Sequence, residues 1–335
     1  MVVWDPPIRD YQFLYHELLP AIETVQRLGY TDFDADFLDS LIEGWATHCE
    51  EVWLPINLVG DRKGLKFEDG KITMPQEFKD AYRQGIDEGW LSTTCEPEHG
   101  GMGVPLFFQA VTWAEFGTSA CMALSVLPAL SIGVYEVLVK HGRQDLIDYF
   151  ATNLASGEWS GTMCLTEPHA GTDLGIIETK AIPQDDGTYR LSGSKCFITY
   201  GEHDMAENIV HLVLAKASGG PEGTRGISLF LVPKFLSEDW QSGGLEGISH
   251  SLASEHNGVT CSGTEEKMGL HASPTCVMNL DDSVGWLVGP LHGGMPLMFE
   301  MMNRERLATG LMGVGLAHAA YVNSLAWARE RRQGR

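Results

Sequence analysis

The sequence predicts an α+β chain in three parts. These are a helical N-terminal domain over 1–157, a central antiparallel β-barrel or sandwich over 158–289, and, over 290–335, the first long helix of a C-terminal helical bundle. Three observations predict it. Up to about residue 155, apolar residues recur near the helical period. From about 160 to 288 the period drops toward two, in short β-branched or aromatic runs with no helical stretch between them. That pattern favours an antiparallel barrel or sandwich over a doubly wound sheet. From Pro296 the helical period returns and holds to about Arg332.

The elements follow in order. Asp34 to Val52 places Phe37, Leu38, Leu41, Ile42, Trp45 and Val52 near one helical face. Pro75 to Asp87 opens with a proline suited to a first helical position and spaces Phe78, Tyr82 and Ile86 four apart. Phe116 to Tyr135 runs 20 residues without a charge. That is long enough for a membrane span, but Pro128, Gly117, Gly133 and four Ser/Thr favour a buried core helix broken near Pro128. Gln144 to Ala155 is a further helix, stopped by Ser156 and Gly157. The predicted strands are Tyr189–Thr199, Asn208–Lys216, Gly226–Pro233 and Thr275–Leu280, with a hairpin signal at Asp185–Gly187. The Ser-, Gly- and Glu-rich stretch 235–265 reads as a surface excursion. The final helix would be about 55 Å long and needs neighbours along its length. The chain is therefore expected to be the N-terminal part of a longer protein, or to find partner helices in other subunits.

The 335 residues are 44% hydrophobic and 20% charged, which is ordinary for a folded soluble chain. A net charge of −22 argues against nucleic acid or an anionic membrane as the main partner, since both need a basic face. Seven cysteines without a CxxC pair, and an opening that lacks a basic start and an apolar run, predict reduced thiols in a cytoplasmic protein. No GxGxxG, phosphate loop, HExxH or GxSxG occurs, and the histidines lack metal-ligand spacing, so no metal is expected. Ser192–Lys195 matches S-x-x-K without its companion motifs, and Glu202–Asp204 reads as a polar turn.

One segment stands out. Gly161–Asp173 (GTMCLTEPHAGTD) joins the helical part to the first strands. Thr166, Thr172 and Asp173 offer short polar side chains, Gly171 permits close backbone approach, and Pro168 fixes a turn. Such a loop can present N–H and hydroxyl groups to a flat heterocycle and an anionic linker. An ordinary polar interdomain turn would use the same residues.

This segment resembles the T-E-P-x-A-G-[ST]-D signature of the acyl-CoA dehydrogenase family, FAD enzymes that desaturate acyl-CoA thioesters. Further similarities follow in order: Gly193–Thr199, Lys267–Gly269 with Ser273–Cys276, Asn303–Arg306 with Gly315–Ala317, and Glu330–Arg335. Gly161–Gly175, Gly201–Ala215, Gly226–Phe235 and the opening Pro6–Phe13 resemble the 3-methylmercaptopropionyl-CoA dehydrogenase branch, which acts in dimethylsulfoniopropionate demethylation.

The resemblance implies an acyl-CoA dehydrogenase-like fold, FAD as cofactor, an acyl-CoA substrate and electron-transfer flavoprotein as acceptor. It also implies a homodimer or homotetramer. Met163, Leu165, Thr166, Gly171, Thr172, Phe197 and Thr199 would line the flavin, and Arg331 would reach the FAD of a neighbouring subunit. Thr172, Asn303 and Arg306 would meet the CoA arm. A carboxylate would take the α-proton while the β-hydride goes to flavin N5. The usual base lies in later residues, and Glu305 matches a minority position on the first C-terminal helix. The rival expectations are an acyl-CoA oxidase and a catalytically silent truncated module that binds acyl-CoA or a partner.

Overall fold

The computed structural model describes residues 4–108, 112–237 and 253–334. Helix α1 (Ala35–His48) starts where the Asp34 side chain accepts a 2.8 Å hydrogen bond from the Phe37 N–H. It buries Leu38, Leu41, Ile42 and Trp45. A π-helical turn, Cys49–Trp53, carries the chain into α2 (Leu54–Lys63) and sets Trp53 edge-on to Trp45, ring centroids 4.9 Å apart. A short hairpin, Lys66–Glu68 with Lys71–Thr73, interrupts the helical region. Helix α3 (Gln76–Asp87) follows, with Pro75 at its N-cap rather than its first turn, and buries Phe78 and Tyr82.

Helix α4 (Ala114–His141) passes through Pro128 without a break. The expected break lies instead at Cys121, which has φ −153° and ψ 88°. The freed carbonyls there find local partners: Ser125 Oγ donates to Met122, and the buried Tyr200 hydroxyl donates to Ala123 at 2.6 Å. By length and composition α4 could cross a membrane; in this fold it packs against later elements and most of it is buried. Helix α5 (Gln144–Ser156) ends on Gly157 at φ +87°, a left-handed stop.

Seven strands form one sheet: β1 (Trp159–Cys164), β2 (Lys180–Pro183), β3 (Tyr189–Thr199), β4 (Asn208–Ala217), β5 (Ile227–Pro233), β6 (Val259–Thr264) and β7 (Thr275–Val288). The pairings β7–β3–β2–β4–β5–β7 close a ring, and β6 and β1 attach to it. The barrel is mixed rather than purely antiparallel, because β1 and β2 both run parallel to β4 along one of its edges. Strand β1 escapes the alternation test because nearly all of it is buried, and β2 because it has only four residues; β6 does alternate at Val259–Ser262, inside the stretch read as a surface excursion. Strand β7 runs eight residues beyond the expected Leu280, through a register shift between Leu280 and Ser283. All of β5 is buried, as its unbroken apolar run requires. The turn at Asp185–Gly187 does join an antiparallel pair, β2 and β3. Of the 235–265 excursion, residues 238–252 lie outside the described residues, and Phe235–Ser237 pairs with Ala253–His256 as a short hairpin.

Helix α6 (Gly294–Glu330) is 37 residues long and lies along α4. Two glycines set the approach. A Cβ on Gly133 would stand 2.9 Å from Met301, and one on Gly315 would stand 2.6 Å from the Glu115 carbonyl. Farther along, Leu307, Val314 and Trp327 are at least half exposed.

Candidate functional site

The loop between β1 and β2 is held from within and from behind. Glu167 and Ala170 exchange two backbone hydrogen bonds of 2.9 Å, which closes the turn around Pro168 and His169. The Glu167 carboxylate points inward. It accepts from the N–H groups of Glu178 (2.6 Å) and Thr179 (3.0 Å), from the Thr179 hydroxyl (2.5 Å) and from Lys195 Nζ (2.9 Å). Lys195, wholly buried on β3, also donates to the Leu165 carbonyl at 3.0 Å. Burial pushes the Glu167 carboxyl up, but the Glu178 N–H, Lys195 and Thr179 together hold it below the usual carboxylate range. Burial also lowers the Lys195 ammonium, against the pull of Glu167. The S-x-x-K match is therefore no nucleophile pair, since its lysine is committed to the loop and Ser192 is exposed. On the far side of the loop, Asp173 accepts from the Gly175 N–H at 2.9 Å, and Lys216 Nζ donates to the Gly175 carbonyl.

The loop is tied to β3 by the Cys196 N–H, which donates to the Thr166 carbonyl at 2.9 Å. Beside that bond sits Phe197. A bulge between Cys276 and Met278 on β7 lets β3 carry an extra residue there, and Phe197 takes φ +60°. The residue is 61% exposed. An aromatic side chain in the left-handed region costs about 1–3 kcal/mol, and an exposed ring recovers little of that by burial. Thr166 and Thr199 flank it half-buried, Thr172 is exposed on the loop, and none of the three hydroxyls bonds another described residue. Met163 and Leu165 are half-buried and Gly171 is exposed. Of the expected flavin-lining residues of the loop, Thr166 is tied to β3 through the Cys196 N–H beside Phe197, and Leu165 through Lys195.

The other expected residues lie on α6 and beyond it. Arg306 donates to the Asn303 side chain at 2.8 Å and lies 5.0 Å over the Phe299 ring. Arg331 follows the end of α6 and lies 5.8 Å over Trp327 of the same helix. Glu305 faces a cavity of about 90 Å³ between the N-terminal helices, α4 and α6. Trp45, Trp53, Trp90 and Trp113 supply one wall; Arg304, Glu305, Ala308 and Met312 supply another. The Glu305 Oε1 atom is buried without a hydrogen-bond partner among the described residues. Burial raises its pKa; Arg304 opposes the shift and Glu136 adds to it. Sequence reasoning missed the four indoles and the Lys195–Glu167 pair, because their partners lie far apart in the chain. Glu202, His203 and Asp204 go to three different partners, Lys234, Ser160 and the Met74 N–H, so that motif is a structural turn. Among the described residues no group of three metal-ligating side chains converges.

The acyl-CoA dehydrogenase N-terminal domain matches residues 66–158 and the acyl-CoA dehydrogenase middle domain matches 162–283, together well over half the chain. The chain is 41% identical to 3-methylmercaptopropionyl-CoA dehydrogenase of Ruegeria pomeroyi, over 100% of this chain and 55% of that protein. It is 35% identical to a butyryl-CoA dehydrogenase of Syntrophomonas wolfei, over 97% of this chain and 54% of that protein. The chain thus spans about half the length of the curated relatives it matches. An acyl-CoA dehydrogenase of Bacillus anthracis complexed with FAD shares the fold, with a TM-score of 0.71 at 24% identity, over 91% of this chain and 46% of that chain. The two family domains, in chain order over the helical region and the barrel, show that this chain belongs to the acyl-CoA dehydrogenase family.

Proposed function

We propose that the protein desaturates an acyl-CoA thioester between its α and β carbons with FAD as cofactor. The observation that carries this reading is Phe197, an exposed residue held at φ +60° next to the Cys196 N–H that ties β3 to the Thr166 carbonyl of the loop. A strained, exposed aromatic residue at the junction of strand and loop fits a flat heterocycle. FAD, when bound, supplies a two-electron acceptor for the β-hydrogen. Thr166, Thr172 and Thr199 would hold its polar edge, and the Lys195–Glu167 pair would keep the loop in register. Glu305 would take the α-proton. Its Oε1, without a partner among the described residues, and its raised pKa suit a carboxylate that accepts a proton. Asn303 and Arg306 would meet the CoA arm on one face of α6, and Arg331 the FAD of a second subunit in a homodimer or homotetramer. Electron-transfer flavoprotein is the proposed acceptor, and seven buried, unpaired cysteines support a reducing, cytoplasmic setting. The Ruegeria pomeroyi relative supports 3-methylmercaptopropionyl-CoA as the finer substrate assignment.

The test is anaerobic mixing of the purified flavoprotein with that thioester. Flavin absorbance is expected to bleach with the native protein, and Glu305→Gln is expected to keep the flavin and lose the bleaching. A yellow protein that no acyl-CoA bleaches is a silent binding module, and rapid re-oxidation in air marks an oxidase. A Glu305→Gln variant that still bleaches places the base elsewhere.

A further inference from the structure

Resting on the reading of Glu305 as the base, we propose that Glu136 is a positioning residue for it: from α4, Glu136 holds the Arg304 guanidinium away from the Glu305 carboxylate. Arg304 and Glu305 are neighbours on α6, and a helix points neighbours to different sides. Arg304 turns toward α4. Its Nη1 lies 3.6 Å from Glu136 Oε2 and donates to the Ala129 carbonyl at 3.5 Å, and its side chain is only 10% exposed. Glu305 Oε1 has no hydrogen-bond partner among the described residues, so this adjacent cation leaves it unbonded. Arg304 also stands between two cavities. It lines the indole cavity with Glu305, and it lines a second cavity of about 510 Å³ with Glu136.

The placing of one guanidinium matters because two carboxyls compete for it. Burial pushes both Glu136 and Glu305 up, and Arg304 opposes the shift in each. A cation bonded to Glu305 would favour its charged form and make it a weaker base. Arg304 and Glu305 are the charged residues among those described that line the indole cavity. The other charged groups around it have partners of their own. His48, stacked on Trp45, meets Glu88 at 2.7 Å, and Glu88 accepts from Trp90. Glu115 lies 3.5 Å from His318, and Lys140 donates to Glu300 at 2.6 Å across the second cavity. Glu96 lines that second cavity too, and burial pushes the nearby Cys95 thiol up to about 12, which keeps it neutral.

Infrared titration of the protonated Glu305 carboxyl, the band that Glu305→Gln removes, reads the base without flavin or turnover. Glu136→Gln frees Arg304 toward Glu305 and is expected to move the midpoint down by about one pH unit. Glu136→Asp is expected to restore at least half of that shift. Arg304→Met is expected to move the midpoint up, and Arg304→Met with Glu136→Gln to return it near the native value. The acid limb of the bleaching rate should move in the same order, with a plateau a few-fold lower in Glu136→Gln because the base is weaker. Where Glu136→Gln does not fold, Arg304→Met and the double variant decide in the same way. A midpoint that stays within about 0.3 unit of native in these variants overturns the inference, because a merely structural Glu136 changes the melting temperature alone. If Glu305→Gln has then also lost bleaching, Glu305 remains the base without help from Glu136. Midpoints that move as expected while Glu305→Gln still bleaches overturn the reading of Glu305 and not the placing of Arg304.

Discussion

The Lys195–Glu167 pair and the indole cavity both bury polar groups, but only one of them satisfies those groups. At the loop, the Glu167 carboxylate accepts four hydrogen bonds and Lys195 Nζ donates two. In the cavity, Trp53 Nε1, Trp113 Nε1, Thr118 Oγ1 and Glu305 Oε1 have no partner among the described residues. Each unmet buried group costs about 1–3 kcal/mol, which folding alone has no reason to accept. The satisfied cluster is scaffold, which shapes the loop. The unsatisfied cluster belongs to residues that line the indole cavity.

The comparison breaks most directly at Lys195. Lys195→Met would leave the Glu167 carboxylate buried without its cation, and unfolding in urea should show a loss of about 3–5 kcal/mol. Lys195→Met combined with Glu167→Gln should recover part of that loss, because the orphaned charge is gone. A single variant within about 0.5 kcal/mol of the native protein would mean that the pair does not hold the loop.

An intermediate case sits beneath the barrel. His211 Nδ1 meets the Thr162 hydroxyl at 2.7 Å while its Nε2 has no partner among the described residues, and His203 Nε2 meets Ser160 Oγ. Burial pushes both imidazoles down to about 3 from an ordinary 6.5. Below pH 6.5 the unfolded chain therefore takes up protons that the folded chain refuses. Stability should fall as pH drops from about 6.5 toward 3, and thermal melts of His211→Asn should show a shallower fall over that range. A variant that falls as steeply as the native protein would remove His211 from the account.

The smallest expected effect is at Phe197. Phe197→Gly relieves the left-handed strain at an exposed position, so the chain should gain up to about 1 kcal/mol in urea. The same change removes the proposed platform, so flavin should leave the variant more readily in dialysis. Lower stability with unchanged flavin retention would make Phe197 a packing residue and remove the main support for the proposed function.

Much of the fold was legible in the chain. The last helix begins within two residues of its expected start at Pro296, and β3 has its expected bounds, Tyr189–Thr199. The loop was legible from Leu165 to Asp173, because Gly, Pro and short polar residues mark a specialised turn wherever they cluster, whereas Gly161–Cys164, read as part of the same loop, belongs to β1. The helix break at Cys121 was not. A proline marks where one ladder bond is lost, but neighbouring elements decide where the helix gives way.

What the sequence determined by itself is local: the periods that separate helices from strands, the turn chemistry, and the ordered motifs of the family. Only the tertiary structure decided that Lys195 on β3 reaches back to Glu167, and that Phe197 turns outward at a bulge whose register β7 supplies. It alone gathered Trp45, Trp53, Trp90 and Trp113 around one cavity with Glu305. Periodicity reports which face of an element is buried and not what it is buried against. Contacts between residues a hundred or more positions apart arise only when the helices close over the barrel.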